Sequence, residues 1–170
     1  MALVCTTLKS FDVSYMQIVV AQPEDIPAWL HLASEVESLF GPMVHEPSFH
    51  HTLRNSITRG TAFCIREADG PAGAALLGGL LFSAKPPIYK IRWLAVANEY
   101  RRRRIGQCLV EYAINLVQPP AELLVITFGA DIQAGQPARH FYERLGFIAA
   151  EQAPRGPEGG SRQVFRRRCA

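Results

Sequence analysis

The sequence predicts a mixed α/β (α+β) domain, on three observations. Short runs rich in β-branched and aromatic residues alternate with stretches whose apolar residues recur at helical spacing. Proline and glycine fall between these runs rather than inside them. The chain has 170 residues, of which 48% are hydrophobic and 19% charged, ordinary values for one folded domain and too apolar for disorder.

Met16 to Ala21 reads as a first strand. Pro23-Glu24-Asp25 then opens a helix, since proline suits a first turn and acids there oppose the positive end of the dipole. Its apolar stripe, Ile26, Trp29, Leu30, Ala33, Val36 and Phe40, runs to the Gly41-Pro42 stop. A second helix covers Pro47 to Arg59 and closes at Gly60. Strands follow at Thr61 to Arg66, Leu76 to Ser83 and Ile88 to Val96, separated by an Ala68-Asp69-Gly70-Pro71 turn and the Pro86-Pro87 break. Ile105, Cys108, Leu109, Tyr112, Ala113, Leu116 and Val117 form the stripe of a third long helix, ended by Pro119-Pro120. Leu123 to Phe128 is a buried strand, and Pro137 to Leu145 a short helix with Gly146 as its left-handed cap. Strands near Phe147 to Glu151 and Gln163 to Arg167 finish the pattern. We expect an N-terminal extension over residues 1–15 and a single domain over 16–168.

The longest uncharged stretch, Gly70 to Ala84, falls short of the roughly 20 apolar residues a spanning helix needs, so no membrane partner is expected. The first fifteen residues carry no long apolar run, which argues against a secretory signal. Cys5, Cys64, Cys108 and Cys169 lie far apart, with no CxxC pair, as suits a reducing, cytoplasmic setting. His45, His50 and His51 lack further ligands at useful spacing, so no metal is expected. The net charge is only +3, but the positive charge is nearly all arginine and clumped at Arg101 to Arg104, Arg162 and Arg166 to Arg168. Guanidinium forks match phosphate oxygens, so a phosphate-bearing partner is expected; no exposed-looking aromatics interleave these arginines, and nucleic acid is not.

The segment Leu94-Ala95-Val96-Ala97-Asn98-Glu99-Tyr100-Arg101-Arg102-Arg103-Arg104-Ile105-Gly106-Gln107-Cys108-Leu109 carries the chemistry. A buried strand feeds a basic loop that feeds an amphipathic helix, so the loop lies at a helix N-terminus, where unpaired N–H groups and the dipole favour an anion. Gly106 leaves room for a ligand beside the backbone. There is no GxxxxGK[ST] and no GxGxxG, so neither a Walker loop nor a dinucleotide fingerprint is present.

This stretch resembles the acetyl-CoA motif of the GNAT N-acetyltransferase superfamily: Leu-x-Val, then [Arg/Gln]-x-x-Gly-x-[Gly/Ala]. Arg101 fills the first position and Gly106 the last, with Arg104 where the family most often has its first glycine. Downstream, Ala138-Arg139-His140-Phe141-Tyr142-Glu143-Arg144-Leu145-Gly146-Phe147 resembles the family's Asn-x-x-Ala-x-x-Phe-Tyr-x-x-x-Gly-Phe, with Gly135 in place of the asparagine.

The resemblance implies a GNAT fold: a central, mostly antiparallel twisted sheet, splayed at a bulged strand and flanked by about four helices. It implies acetyl-CoA as cosubstrate, its pantetheine arm beside Leu94, Ala95 and Val96. The pyrophosphate would lie on Arg101, Arg102, Arg103, Arg104, Ile105, Gly106 and Gln107, with Gly135 and Ala138 near the cofactor arm. Tyr142 matches the family acid that protonates the departing thiolate. The usual glutamate bases align with Lys90 and Ala130; Asp131, Glu35, Glu37, His45 and Glu46 are the nearby alternatives, or a water chain. The implied reaction is acetyl transfer from acetyl-CoA directly to a primary amine, bound between the first two helices and the last strands. Glu35 and Glu37 favour a small cationic amine; a protein or peptide amine, or a noncatalytic CoA-binding sensor, are the alternatives. A monomer or homodimer is expected.

Overall fold

The structure, a computed structural model, describes residues 16–170; the expected extension over 1–15 lies outside them. Among the described residues there are seven strands: β1 (Ile18–Val20), β2 (Ala62–Arg66), β3 (Leu76–Lys85), β4 (Ile88–Val96), β5 (Ala121–Phe128), β6 (Ile148–Ala153) and β7 (Arg162–Cys169). Their order in the single sheet is β1-β2-β3-β4-β5-β7-β6. Only β4 and β5 run parallel; every other neighbouring pair is antiparallel. The helices are α1 (Ile26–Ser34), α2 (Glu37–Phe40), α3 (Pro47–Thr58), α4 (Ile105–Leu116) and α5 (Gln136–Arg144).

Strand alternation divides the sheet's apolar side chains between two cores. On one face, Leu80, Phe82 and Ile91 pack with Leu109, Val110 and Ala113 of α4 and Tyr142 of α5. On the other, Cys64, Leu81 and Ala95 pack with Trp29, Leu32 and Ala33 of α1 and Leu53 of α3. Two glycines let the helices approach: a Cβ on Gly78 would lie 2.9 Å from Ile105 of α4, and one on Gly79 would lie 2.9 Å from the Trp29 ring. Gly146, after α5, has φ +82°, the left-handed cap expected of it.

The helix expected to run through Phe40 is broken. α1 stops at Ser34, Val36 takes φ −115° and ψ 0°, and a single turn resumes as α2. At the break, Glu35 Oε2 accepts a hydrogen bond from the amide of Asn98, 2.6 Å away, tying the helix to the loop after β4.

Two irregularities of β4 build the site. Leu81 pairs with Trp93 but Phe82 pairs with Ile91, so Arg92 is an extra residue, a β-bulge. The parallel pairing with β5 runs only from Ile88 to Ile91, opposite Glu122 to Val125. Beyond that point the two strands part, as the bulged, splayed sheet requires.

Candidate active site

Where β4 leaves β5, its backbone lacks a neighbour. Ala97 N donates to Leu77 O at 2.9 Å, and alternation then turns Trp93 and Ala95 toward β3 and the peptide groups of Leu94 and Val96 toward the gap. Arg101 Nε reaches Val96 O only at 3.5 Å. Backbone groups left without partners are costly, so this edge suits a ligand that is extended and bears amides of its own.

The gap continues into the loop before α4. Arg102 and Arg104 both have φ +62°, the left-handed region that side chains disfavour. Alternating backbone handedness turns successive N–H groups to one side, forming a concavity that accepts anions. The first hydrogen bond of α4 is Cys108 N to Arg104 O at 2.9 Å, and among the described residues the amides of Arg102, Arg104, Ile105, Gly106 and Gln107 have no carbonyl partner. An anion of phosphate size fits this cradle: donors, dipole and side-chain charge all converge there.

Gap and cradle form one cleft of about 1100 Å³. Leu94, Ala95, Val96, Arg101, Arg102, Arg104, Ile105, Gly106, Gln107, Ala138 and Tyr142, all picked out in the sequence, line it. Four other expected site residues are engaged elsewhere. Arg103 turns its guanidinium over the Tyr100 ring, 5.3 Å from the centroid. Gly135 is buried, and a Cβ there would lie 2.2 Å from Phe128, so its small size serves packing of α5 on β5.

Glu37 Oε1 accepts from the amides of Met43 and Val44, each at 2.7 Å, and these bonds hold its carboxyl below the usual range. Glu35 is held by Asn98, and neither glutamate lines the cleft. Their carboxylates fasten the loops around α2.

Tyr142 is buried, its ring edge-on to Phe141 and Phe147 at 5.0 and 5.5 Å. Desolvation pushes its phenol well above the ordinary value, so it keeps its proton across the physiological range. Among the described residues no carboxylate lines the cleft. Lys90, Ala130, His45, Glu46 and Asp131 all stay off its wall, and Asp131 accepts a hydrogen bond from the Ser161 hydroxyl. His140 does line it, from an exposed position on α5.

Away from the cradle the cleft carries a cluster of apolar side chains, with the Arg162 guanidinium over the rings of Phe40 and Phe128 at 5.8 and 4.4 Å. Val36, Leu39 and Phe40 from the α1–α2 break line the cleft together with Trp93 of β4 and Phe128 of β5. Phe40 and Phe128 lie 4.8 Å apart, and Trp93 Nε1 donates to Met43 Sδ at 3.3 Å. Alternation alone gave no means of finding Arg92 and Trp93 here, because the bulge shifts the facing of the strand by one residue.

A family model described as an acetyltransferase (GNAT) domain matches residues 58–149, more than half of the chain. The chain belongs to the GNAT acetyltransferase family. Acetyl-CoA is therefore the acetyl donor of this GNAT acetyltransferase, and the cleft is its candidate catalytic site.

No curated protein matches the chain. Solved structures with the same fold include Ard1 from Thermoplasma volcanium, 16% identical with a TM-score of 0.71, covering 91% of this chain and 98% of that one. The PaiA N-acetyltransferase from Thermoplasma acidophilum, in complex with coenzyme A, is 14% identical with a TM-score of 0.69, covering 91% and 99%. Naa50 from Arabidopsis thaliana, in complex with the bisubstrate analogue CoA-Ac-MVNAL, is 14% identical with a TM-score of 0.68, also covering 91% and 99%. Among the described residues, no helix is long and apolar enough to cross a membrane, and no group of three or more His, Cys, Asp or Glu is placed to hold a metal.

Proposed function

We propose that residues 16–168 act as one domain that transfers an acetyl group from acetyl-CoA directly to the primary amine of an acceptor with an apolar side chain. The observation that carries this is the parting of β4 from β5 at Ile91, which opens a gap running from an amide-lined cradle to an aromatic pocket. The pantetheine arm adds as a strand beside Leu94, Ala95 and Val96, and the pyrophosphate takes the amides of the loop and first turn of α4. The acceptor lies against Phe40, Trp93 and Phe128.

The amine's lone pair attacks the thioester carbonyl carbon, the C–S bond breaks, and the electron pair leaves with sulfur. Tyr142 gives its phenolic proton to the thiolate and is restored by the proton the nitrogen gives up. With no carboxylate of the described residues on the wall, water in the open cleft relays that proton from the nitrogen to the phenolate. A cationic acceptor draws no support from Glu35 and Glu37. A peptide amine is the second reading, favoured by the likeness in fold to Naa50, whose structure holds a CoA-peptide analogue.

A thiol-release assay with acetyl-CoA and a panel of amines tests the reaction. Apolar primary amines should be turned over, and Tyr142→Phe should lower kcat by about a hundredfold or more, the usual worth of a positioned acid, with acetyl-CoA affinity retained. An unchanged kcat would remove Tyr142 from the mechanism.

A further inference from the structure

Arg92 is the bulge residue of β4 and lines the cleft, yet its side chain has no hydrogen bond or ion pair among the described residues. We propose that Arg92 binds a carboxylate of the acceptor, and that the acceptor is accordingly a free α-amino acid with an apolar side chain. The inference rests on the N-acetyltransferase reading of the cleft and names the substrate class it takes.

The bulge decides where the guanidinium stands. Tyr89 and Ile91 belong to the core under α4, whereas Trp93 and Ala95 belong to the core under α1 and α3. Between them alternation slips by one at Arg92, so the buried side chains of the strand change face there. Arg92 also stands at the vertex, one residue past Ile91, the last to pair with β5. Val96, where the basic loop begins, is four residues on, about 13 Å of strand away. That is beyond the reach of one side chain, so Arg92 does not share the anion of the cradle with Arg101, Arg102 and Arg104.

The walls around it select the partner. No carboxylate of the described residues lines the cleft, so nothing in the wall competes for the guanidinium. The neighbouring surface is the aromatic pocket of Trp93, Phe40 and Phe128. An α-amino acid places an amine, a carboxylate and a side chain on one carbon. Its side chain can enter the aromatic pocket and its carboxylate meet the arginine fork, which fixes the amine between them. A peptide N-terminus offers an amide where the amino acid has its carboxylate, and so gives Arg92 only a carbonyl.

Titration calorimetry on the CoA-loaded protein tests this, with N-acetyl-L-leucine and N-acetyl-L-leucinamide as product probes that differ only at the carboxylate. The acid should bind about tenfold or more tighter than the amide, the worth of a charge-assisted hydrogen bond. Arg92→Gln should erase that difference, and Arg92→Lys should keep part of it. CoA affinity should hold in both variants, reporting that they fold. Equal affinities in the native protein, or no binding of the acid, overturn the assignment. The thiol-release assay separates the two readings: turnover of leucinamide but not leucine overturns the carboxylate site and leaves acetyl transfer to amines standing. CoA binding without turnover of any amine removes the acetyl-transfer reading, while the titration still decides for or against Arg92.

Discussion

At Tyr142, burial holds the proton on the phenol and by the same effect makes it a weaker donor. A phenol in water already matches a basic thiolate, and loss of solvent raises it further, so it enters each cycle protonated. The opposite task, taking a proton from the amine, has no carboxylate of the described residues on the cleft wall to perform it. This gives the pH dependence its sign. Activity should rise with pH as the free amine replaces the ammonium ion, by about tenfold per unit, and level off at the acceptor's own pKa. Measuring kcat/KM across acceptors of differing basicity checks this: the plateau should move with the amine, and a fixed inflection would point to a titrating enzyme base.

The loop between β4 and α4 shows how an element can carry a family's geometry without its usual residue. Arg104, where glycine is customary, takes the left-handed conformation glycine would have taken, and Arg102 does likewise. Holding a side chain in that region costs about 1 kcal/mol. Arg104→Gly should therefore leave the ligand-free protein as stable or up to about 1 kcal/mol more stable, while weakening CoA severalfold through loss of the guanidinium. Urea midpoints and CoA titration of the variant separate the two effects. Elements of this kind were largely legible in the chain. The Ile88–Val96 strand, the α4 stripe from Ile105 and the α5 cap at Gly146 all follow from local periodicity and turn chemistry. What escaped was tertiary in origin. The break after Ser34 leaves the apolar spacing intact, and the bulge at Arg92 is set by pairing with β3. Nor does composition reveal that Glu37 is spent on the amides of Met43 and Val44 and Glu35 on that of Asn98.

For the whole molecule, one buried carboxylate ties three segments together. Asp25 is fully buried and accepts from Arg66 Nε and Nη2 at 3.0 and 2.7 Å, from Gly73 N at 2.9 Å and from Gln22 N at 2.7 Å. It thus joins the entry to α1, strand β2 and the turn before β3. Burial alone would raise its carboxyl, but Arg66 and the amides outweigh it and hold it below its ordinary 3.8. A carboxyl depressed by folding stabilises the native state above its unfolded value and loses that contribution as pH falls through the folded one. Stability should thus drop on acidification below about pH 4. Asp25→Asn should cost about 3–5 kcal/mol at neutral pH, because it leaves Arg66 without its counter-charge, and should flatten that acid limb. Urea denaturation of both proteins across pH reads both effects. The seam between β4 and β5 has a consequence at the same scale. Strands β1 to β4 and the group β5, β7, β6 are stitched by four residue pairs, and the rest of their border lies open. Whatever fills that border works as a splint, so occupancy and rigidity rise together, and a donor that chemistry consumes also serves, while it stays, as a temporary eighth strand.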